Sequence, residues 1–429
     1  EATTEHERLG FGRVWPLDRE GRTMTGRDRG TRRHRVERTP STRGGSGDRA
    51  GGGETWAALG AVSCPPAPRP GVPRRPGAAW ALLLLLALAS CGPARDETGG
   101  PGASGPDGEG GAGSVQTLPG SWETRAPLPY RVQEIYPALH EGRIWVAGGL
   151  TPDVDEGGDI GLSDRVVVYD PATDAWSDGP SLPEPRHHPY LVSTDHGLFA
   201  FGGFVAAEGG IWSASADVLR LDEEVGRWER VAELLHPQSE TVAAVLGGVV
   251  YLATGRAPAG DANADWDDQT DLARVQRFDP ATLQVSAGPE APTARNSAAG
   301  AVLEGKLYVV GGRRVGGGNR AEAEVFDPAT GAWERLTPMP EAQGGIAAAA
   351  HQGRLYVFGG EFFGAGGSGV HERSWVYDPA ADAWEEIAPM PVPRHGLGAV
   401  TVGDAVYVVA GAAEAGGAAT SDRLSLFRP

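Results

Sequence analysis

The feature that most constrains this chain is a sequence repeat with a period of about 50 residues. In each period an apolar segment ends at two small residues, and the first members of these pairs are 54, 52, 57, 48 and 51 residues apart. A repeat of this length predicts one supersecondary unit per period, packed against its neighbours. The small pairs are Gly148-Gly149, Gly202-Gly203, Thr254-Gly255, Gly311-Gly312, Gly359-Gly360 and Ala410-Gly411.

Each unit predicts four short strands separated by tight turns. An Asp, usually followed by Pro, marks one turn in five of the units, and a Trp follows six residues later in four of these five. Gly allows close backbone approach, Asp-Pro favours a turn, and Trp suits a wedge between two sheets. The Asp residues and the residues six positions later are Asp170 and Trp176, Asp222 and Trp228, Asp279 and Val285, Asp327 and Trp333, and Asp378 and Trp384.

The two ends of the repeat region predict how the units close. The sixth unit stops near residues 424–427, after its third strand, while Trp122 precedes Gly148 by the same 26 residues that separate Trp384 from Ala410. The N-terminal strand should therefore supply the missing fourth strand of the last unit. We expect an all-β fold, a six-bladed β-propeller whose last blade is closed by the N-terminal strand.

Residues 119–429 resemble kelch-repeat propellers, the group that includes the central domain of galactose oxidase. The resemblance rests on the small pair, the Asp turn and the Trp, with departures at Thr254, Val285 and Ala410. Copper radical oxidases of this superfamily need a Tyr cross-linked to a Cys, but the two cysteines, Cys64 and Cys91, lie outside the repeats. We therefore expect no galactose oxidase activity and no cofactor.

A second regular position follows the fourth predicted strand and should lie near the mouth of the central channel. It carries Arg or Gln, and His187 and His395 come directly after two of its members. Guanidinium and amide groups suit carboxylates and sugar hydroxyls, which predicts ligand binding on this face. The alternative is that these side chains only tie blades together through backbone carbonyls. The position is assigned to Arg131, Arg186, Gln238, Arg295, Gln343 and Arg394.

One long loop, residues 260–272, has the alternating oxygen side chains that begin a Ca²⁺ loop. It lacks the Gly expected at the sixth position and the acid expected at the twelfth, so a solvated loop is the main interpretation. We expect no other metal site. The weak Ca²⁺ candidates are Asp261, Asn263, Asp265 and Asp267.

The N-terminal part of the chain predicts a cellular location rather than a folded domain. Arg74 and Arg75 precede the short apolar run 78–89, which is typical of a signal peptide over residues 72–91. Residues 88–91 resemble a bacterial lipobox, which implies lipidation of Cys91. Residues 92–118 form a Gly-rich linker, and residues 1–71 are a disordered arm or an over-extended gene start. We expect a lipid-anchored protein of the bacterial outer membrane or surface, or a secreted one.

The charge distribution narrows the range of partners. The whole chain has a net charge of −18, which disfavours nucleic acid and anionic lipid surfaces. Membrane contact is expected only through the lipid, and the protein should be a monomer. No nucleophile or phosphate-loop motif occurs.

Three functions fit these observations. The first is a non-catalytic propeller that binds an unknown protein or glycan. The second is a sugar epimerase or mutarotase on the same scaffold, because some bacterial kelch propellers are sialic acid epimerases, with Glu361 and Arg394 as candidate acid–base residues. The third is a structural or assembly lipoprotein.

Overall fold

A computed structural model describes residues 118–154, 160–364 and 366–429. The signal peptide, Cys91, the linker and the N-terminal arm lie outside these residues, so their assignments stay predictions. Within the described ranges, no helix has both the length and the apolar character needed to cross a bilayer. The only helical element there is one 3₁₀ turn, η1 (Trp266–Asp268).

The described residues otherwise form short β-strands. The strands of the first half are β1 (Ser121–Arg125), β2 (Ala138–His140), β3 (Arg143–Ala147), β4 (Leu150–Thr151), β5 (Gly161–Leu162), β6 (Val166–Asp170), β7 (Ala175–Asp178), β8 (Arg186–His187), β9 (Tyr190–Thr194), β10 (Gly197–Phe201), β11 (Phe204–Ala207), β12 (Gly210–Ala214), β13 (Asp217–Asp222), β14 (Arg227–Glu233), β15 (Val242–Leu246) and β16 (Val249–Pro258). Those of the second half are β17 (Gln269–Asp279), β18 (Gln284–Gly288), β19 (Ala299–Leu303), β20 (Lys306–Val310), β21 (Arg313–Arg314), β22 (Gly318–Asn319), β23 (Ala323–Asp327), β24 (Ala332–Leu336), β25 (Gly344–His351), β26 (Arg354–Gly364), β27 (Gly367–Val370), β28 (Ser374–Asp378), β29 (Ala383–Ile387), β30 (Gly398–Val402), β31 (Ala405–Val409) and β32 (Leu424–Arg428).

Each sequence period becomes one antiparallel sheet. From inner to outer strand, the sheets are β2-β3-β6-β7, β9-β10-β13-β14, β15-β16-β17-β18, β19-β20-β23-β24, β25-β26-β28-β29 and β30-β31-β32-β1. In the last of these, β1 runs antiparallel to β32, with Trp122 opposite Phe427. The shorter strands β4-β5, β8-β11-β12, β21-β22 and β27 belong to the long loops and their edges.

The inner strands place the sheets around a common axis. Going round, β2 contacts β9, β9 contacts β15, β15 contacts β19, β19 contacts β25, β25 contacts β30, and β30 returns to β2. This closed cycle leaves no sheet with a free inner edge. The prediction of an all-β propeller is confirmed.

In every sheet but the third, where Val285 stands instead, the repeated Trp joins the sheet to the one before it. The indole N–H of Trp176 donates to the carbonyl of Ala126 at 2.9 Å, and that of Trp384 donates to Thr337 at 2.9 Å. Trp122 makes the same bond to Ala388 at 3.0 Å, across the junction of the two chain ends. Each ring also packs on the apolar core between two sheets, as the wedge role requires.

Candidate functional site

The loops that lead into the inner strands form a narrow ring of backbone around the channel axis. Six equivalent residues, each 14 positions before the first member of a small pair, have left-handed φ angles between 48° and 71°. Backbone N–H to carbonyl hydrogen bonds of 2.7–3.2 Å join five of the six neighbouring pairs. We call these residues the turn ring: Glu134, His188, Glu240, Ser297, Gly345 and Gly396.

Four members of the turn ring are not Gly, although a left-handed backbone costs such residues about 1–2 kcal/mol each. Strain of this kind concentrates at functional sites. Three of the four carry a carboxylate or an imidazole. The sequence therefore accepts backbone strain where it places ionisable side chains beside the channel.

A second layer comes from the residue that follows each small pair. In three sheets this residue is apolar or small, namely Leu150, Phe204 and Ala412, whereas three consecutive sheets carry Arg256, Arg313 and Glu361. All three charged side chains are largely buried. Buried charges need partners. Arg256 and Arg313 contact members of the turn ring, and Glu361 pairs with Arg313.

Arg313 lies at the centre of this charged cluster. Its Nη1 donates to Glu361 Oε1, and its Nη2 donates to Ser297 Oγ at 3.0 Å. The Ser297 hydroxyl in turn donates to Glu240, whose other oxygen lies 3.5 Å from Arg256 Nη1. Burial lowers the pKa of Arg313, but its neighbouring carboxylates, Glu361 first, outweigh this and hold the pKa above its usual value. Arg313 therefore stays a cation.

Glu134 and two imidazoles complete the cluster. Glu134 Oε2 lies 2.7 Å from His188 Nε2, and its Oε1 lies 3.5 Å from His395 Nδ1. Burial raises the pKa of Glu134, but His188 and then His395 outweigh it and leave the pKa well below its usual range. Burial lowers the pKa of His395, but Glu361 and Glu134 outweigh it and leave the pKa raised. Glu134 is thus an anion that lies between two imidazoles.

The cluster opens into a cavity of about 190 Å³. Arg256 forms one wall, with its guanidinium 3.5 Å above the ring centre of Trp266, a cation–π contact that fixes the side chain. The hairpin 314–318, which contains three consecutive Gly, forms the rim. Charged groups and aromatic faces therefore converge on a small concave space, the usual form of a small-molecule site.

The predicted Arg and Gln residues occupy a different place. Arg186, Arg295, Gln343 and Arg394 are at most 1% exposed, and each donates to the carbonyl of the small residue 16 positions later. Gln238 does the same to Thr254 at 2.6 Å. These contacts to backbone carbonyls match the alternative interpretation, in which the side chains have a structural role. They differ from it in one respect, because each side chain ties the loop that enters a sheet to that same sheet and not to a neighbouring one.

Two other predicted site residues, Arg131 and His187, have different surroundings. Arg131 is out of register, because residue 132, the buried Val132, lies 16 positions before Gly148. Arg131 is exposed and pairs with Asp153 in the outer loop. Burial, together with His188, lowers the pKa of His187 well below its usual value. His187 Nδ1 lies 2.6 Å from His188 Nδ1, so His187 positions the ring of His188.

His395 and Glu361 are the two candidates from the sequence that the structure brings into the cluster. Five other residues of the cluster were not predicted from the sequence: Glu134, His188, Glu240, Arg256 and Arg313. A signal was present, because three consecutive repeats carry a charge directly after the small pair, where an apolar or small residue otherwise stands.

The weak Ca²⁺ candidates are not gathered around one point. Asn263 uses its side chain to bind both the N–H and the carbonyl of Ala214, at 2.8 and 3.1 Å. Among the described residues, the groups of acids and His close enough to share an ion do not include Asp261, Asp265 or Asp267. The loop instead packs Trp266 against the charged cluster.

Comparison with known proteins gives the same architecture. The family described as the KLHDC2/KLHL20/DRC7 kelch-repeats domain matches residues 266–411. Kelch-like protein terF of Aspergillus terreus is 26% identical over 326 residues, covering 73% of this chain and 69% of terF. Human Kelch-like protein 35 is 36% identical over 263 residues, covering 61% of this chain and only 40% of that protein.

A solved structure, that of YjhT, has the same fold. It superimposes with a TM-score of 0.59 at 17% identity and covers 70% of this chain and 95% of YjhT. At this identity the likeness concerns the fold alone.

Proposed function

Because this chain carries a kelch-repeat β-propeller with a buried charged pocket at its channel mouth, we propose that it binds a small, hydroxyl-rich ligand of the carbohydrate class there. The observation that carries the proposal is the convergence of Glu240, Glu361, Arg256 and Arg313 on one cavity. Ionised carboxylates and guanidiniums make the stronger hydrogen bonds, which can hold adjacent hydroxyls in a fixed orientation. Trp266, which stacks on Arg256, also lines the cavity.

The size of the cavity favours a ligand no larger than one or two sugar units. Its volume of about 190 Å³ is below the roughly 300–1,000 Å³ of sites for drug-sized molecules. A kelch propeller is also consistent with a protein partner, whose acidic or glycosylated side chain would enter the same cavity. We further propose, from the sequence, that the signal peptide and Cys91 display this face on a bacterial envelope.

The experiment is a thermal-shift screen of the full chain against neutral sugars, acidic sugars and acidic peptides. A ligand present at about 100 times its Kd adds roughly 2.7 kcal/mol of stability, which moves the melting temperature by several degrees. The shift should disappear in Glu240→Gln and in Arg314→Ala, which alters the exposed rim. Arg131→Ala, an exposed Arg outside the cavity, is the matched control. No shift with any sugar would contradict the proposal and point to a protein partner.

A second candidate function is a sugar epimerase or mutarotase. The observation that favours it is the placement of Glu361 beside the cavity with His395 Nδ1 3.4 Å away, since opening and closing of a sugar ring needs an acid and a base. NMR of freshly dissolved anomers would measure equilibration with the full chain. Glu361→Gln should lose any acceleration, whereas Arg131→Ala should keep it; equal rates with and without protein would exclude this function for that sugar.

A further inference from the structure

We propose that Glu134, Glu361 and His395 form a binding site for one divalent cation of the Zn²⁺ class. One oxygen from each carboxylate and one imidazole nitrogen lie within 4.8 Å of one another. The distances from His395 Nδ1 are 3.5 Å to Glu134 Oε1 and 3.4 Å to Glu361 Oε2. Two ligands bound at about 2.1 Å with a tetrahedral angle lie about 3.4 Å apart, so His395 Nδ1 already has the spacing of a coordination shell to each carboxylate oxygen.

The surroundings of His395 Nδ1 are what point to an ion. Its Nε2 lies 2.9 Å from the carbonyl of Glu414 and 3.1 Å from that of Gly416, so Nε2 carries the proton and donates it. Nδ1 has no hydrogen-bond partner although the residue is only 1% exposed. This buried nitrogen faces two carboxylate oxygens at 3.4 and 3.5 Å without a hydrogen bond to either, and a cation at the common centre of the three atoms would contact all of them.

The surroundings have the arrangement of a second coordination shell. A metal-bound His normally donates its other nitrogen to a carbonyl, as His395 does. Each carboxylate is held by the oxygen that does not face His395: His188 holds Glu134, and Arg313 holds Glu361. The N–H of Gly416 orients the remaining Glu361 oxygen at 2.8 Å. All three proposed ligands are thereby fixed before any ion enters.

The backbone leaves room for this geometry. Gly396 belongs to the turn ring, and a Cβ at this position would lie 2.8 Å from the carboxylate of Glu134. Glu134 and Glu361 also line the cavity, so the open coordination positions face the proposed ligand site. This inference stands on its own contacts, and ion binding is measurable without any sugar.

A second cluster provides an internal comparison. His140, Glu141 and Glu223 also offer three ligand atoms within 4.8 Å. There, however, both nitrogens of His140 have partners, Ser193 Oγ at 2.8 Å and Glu223 Oε1 at 3.0 Å, and the two acids are exposed. Neither nitrogen of His140 is left unpaired, so we assign no ion to this cluster.

The test is titration of the chelator-treated full chain with Co²⁺, followed by its visible absorption and by metal analysis after gel filtration. Co²⁺ takes the positions of Zn²⁺ and reports their symmetry. We expect one ion per chain, with the affinity lowered more than about tenfold in His395→Gln and in Glu134→Gln. Glu223→Gln is the matched control and should bind like the wild type.

Circular dichroism shows which variants are folded, and Glu134→Gln replaces His395→Gln if the latter is not. Failure of the wild type to retain stoichiometric Co²⁺ would overturn the proposal, because the three side chains would then not act together as ligands. Equal binding by the wild type, Glu134→Gln and His395→Gln would place the ion elsewhere. If the chain binds a sugar but does not bind Co²⁺, this inference alone is overturned. If the chain binds Co²⁺ but binds no sugar, only the proposed function is overturned.

Discussion

A buried ion pair in the fourth sheet tests whether the repeated Arg or Gln supports the fold rather than the ligand. Arg295 and Glu324 have fully buried side chains 2.7 Å apart, and Thr293 donates to the second oxygen of Glu324. Burial lowers the pKa of Arg295, although Glu324 opposes this. Removal of one partner of a buried pair costs about 3–5 kcal/mol because the other charge is left uncompensated. The third sheet has a neutral pair, Gln238 and Gln276, at the same positions, with 2.7 Å between them.

Arg295→Gln and Glu324→Gln should therefore each lose about 3 kcal/mol of unfolding free energy, whereas the double variant should lose only about 1 kcal/mol. Urea denaturation of the four proteins gives the coupling energy, which these losses put at about 5 kcal/mol. The ligand screen should give the same result for the double variant and the wild type. Additive losses, or loss of ligand binding in a folded double variant, would refute the structural role.

Three further predictions concern the fold. Trp122→Ala should lower the unfolding free energy by about 2–3 kcal/mol, since its ring packs on Phe427 at the junction of the chain ends; an unchanged urea midpoint would contradict the closure. Asp382 accepts hydrogen bonds from Tyr377 and Thr337, the first of which contributes most to lowering its pKa, so its stabilisation should be present at neutral pH and disappear as acid protonates it. As the pH falls below the usual pKa of Asp, the melting temperature of Asp382→Asn should therefore decrease less than that of the wild type. An equal decrease in both proteins would refute this. Gly149→Ala, at φ +100°, should destabilise the protein more than Arg131→Ala; equal melting temperatures would show that no glycine is needed there.

The propeller could be predicted from the sequence because the same structural requirement selects the same kind of residue at the same position of every unit. The second member of each small pair is always Gly, with φ between 82° and 112°, a conformation that other residues rarely adopt. The first member also has positive φ but tolerates Thr254 and Ala410, which explains why the pairs are degenerate. The regular spacing of the Asp turn and the Trp predicted the order of the strands for the same reason.

The site could not be predicted with the same certainty, because function is located where the repeat is broken. The most regular polar position, that of Arg186, is regular because every sheet needs the same carbonyl contact. Glu240 and Arg256 were not predicted because each residue type stands at its repeat position in only two of the six units. Only the register of the folded loops shows that residues more than 200 positions apart, such as Glu134 and Glu361, meet at one point.

The measurement that tests the central claim most directly is isothermal titration of the sugar class found in the screen. It compares the wild type with Glu240→Gln in the cavity, Gln343→Glu in the buried ties and Arg131→Ala on the exterior. We expect binding at one site per chain that Glu240→Gln abolishes, while Arg131→Ala and any folded Gln343→Glu protein keep it. Unchanged affinity in Glu240→Gln would contradict the account, because the channel-mouth pocket would then not be the binding site.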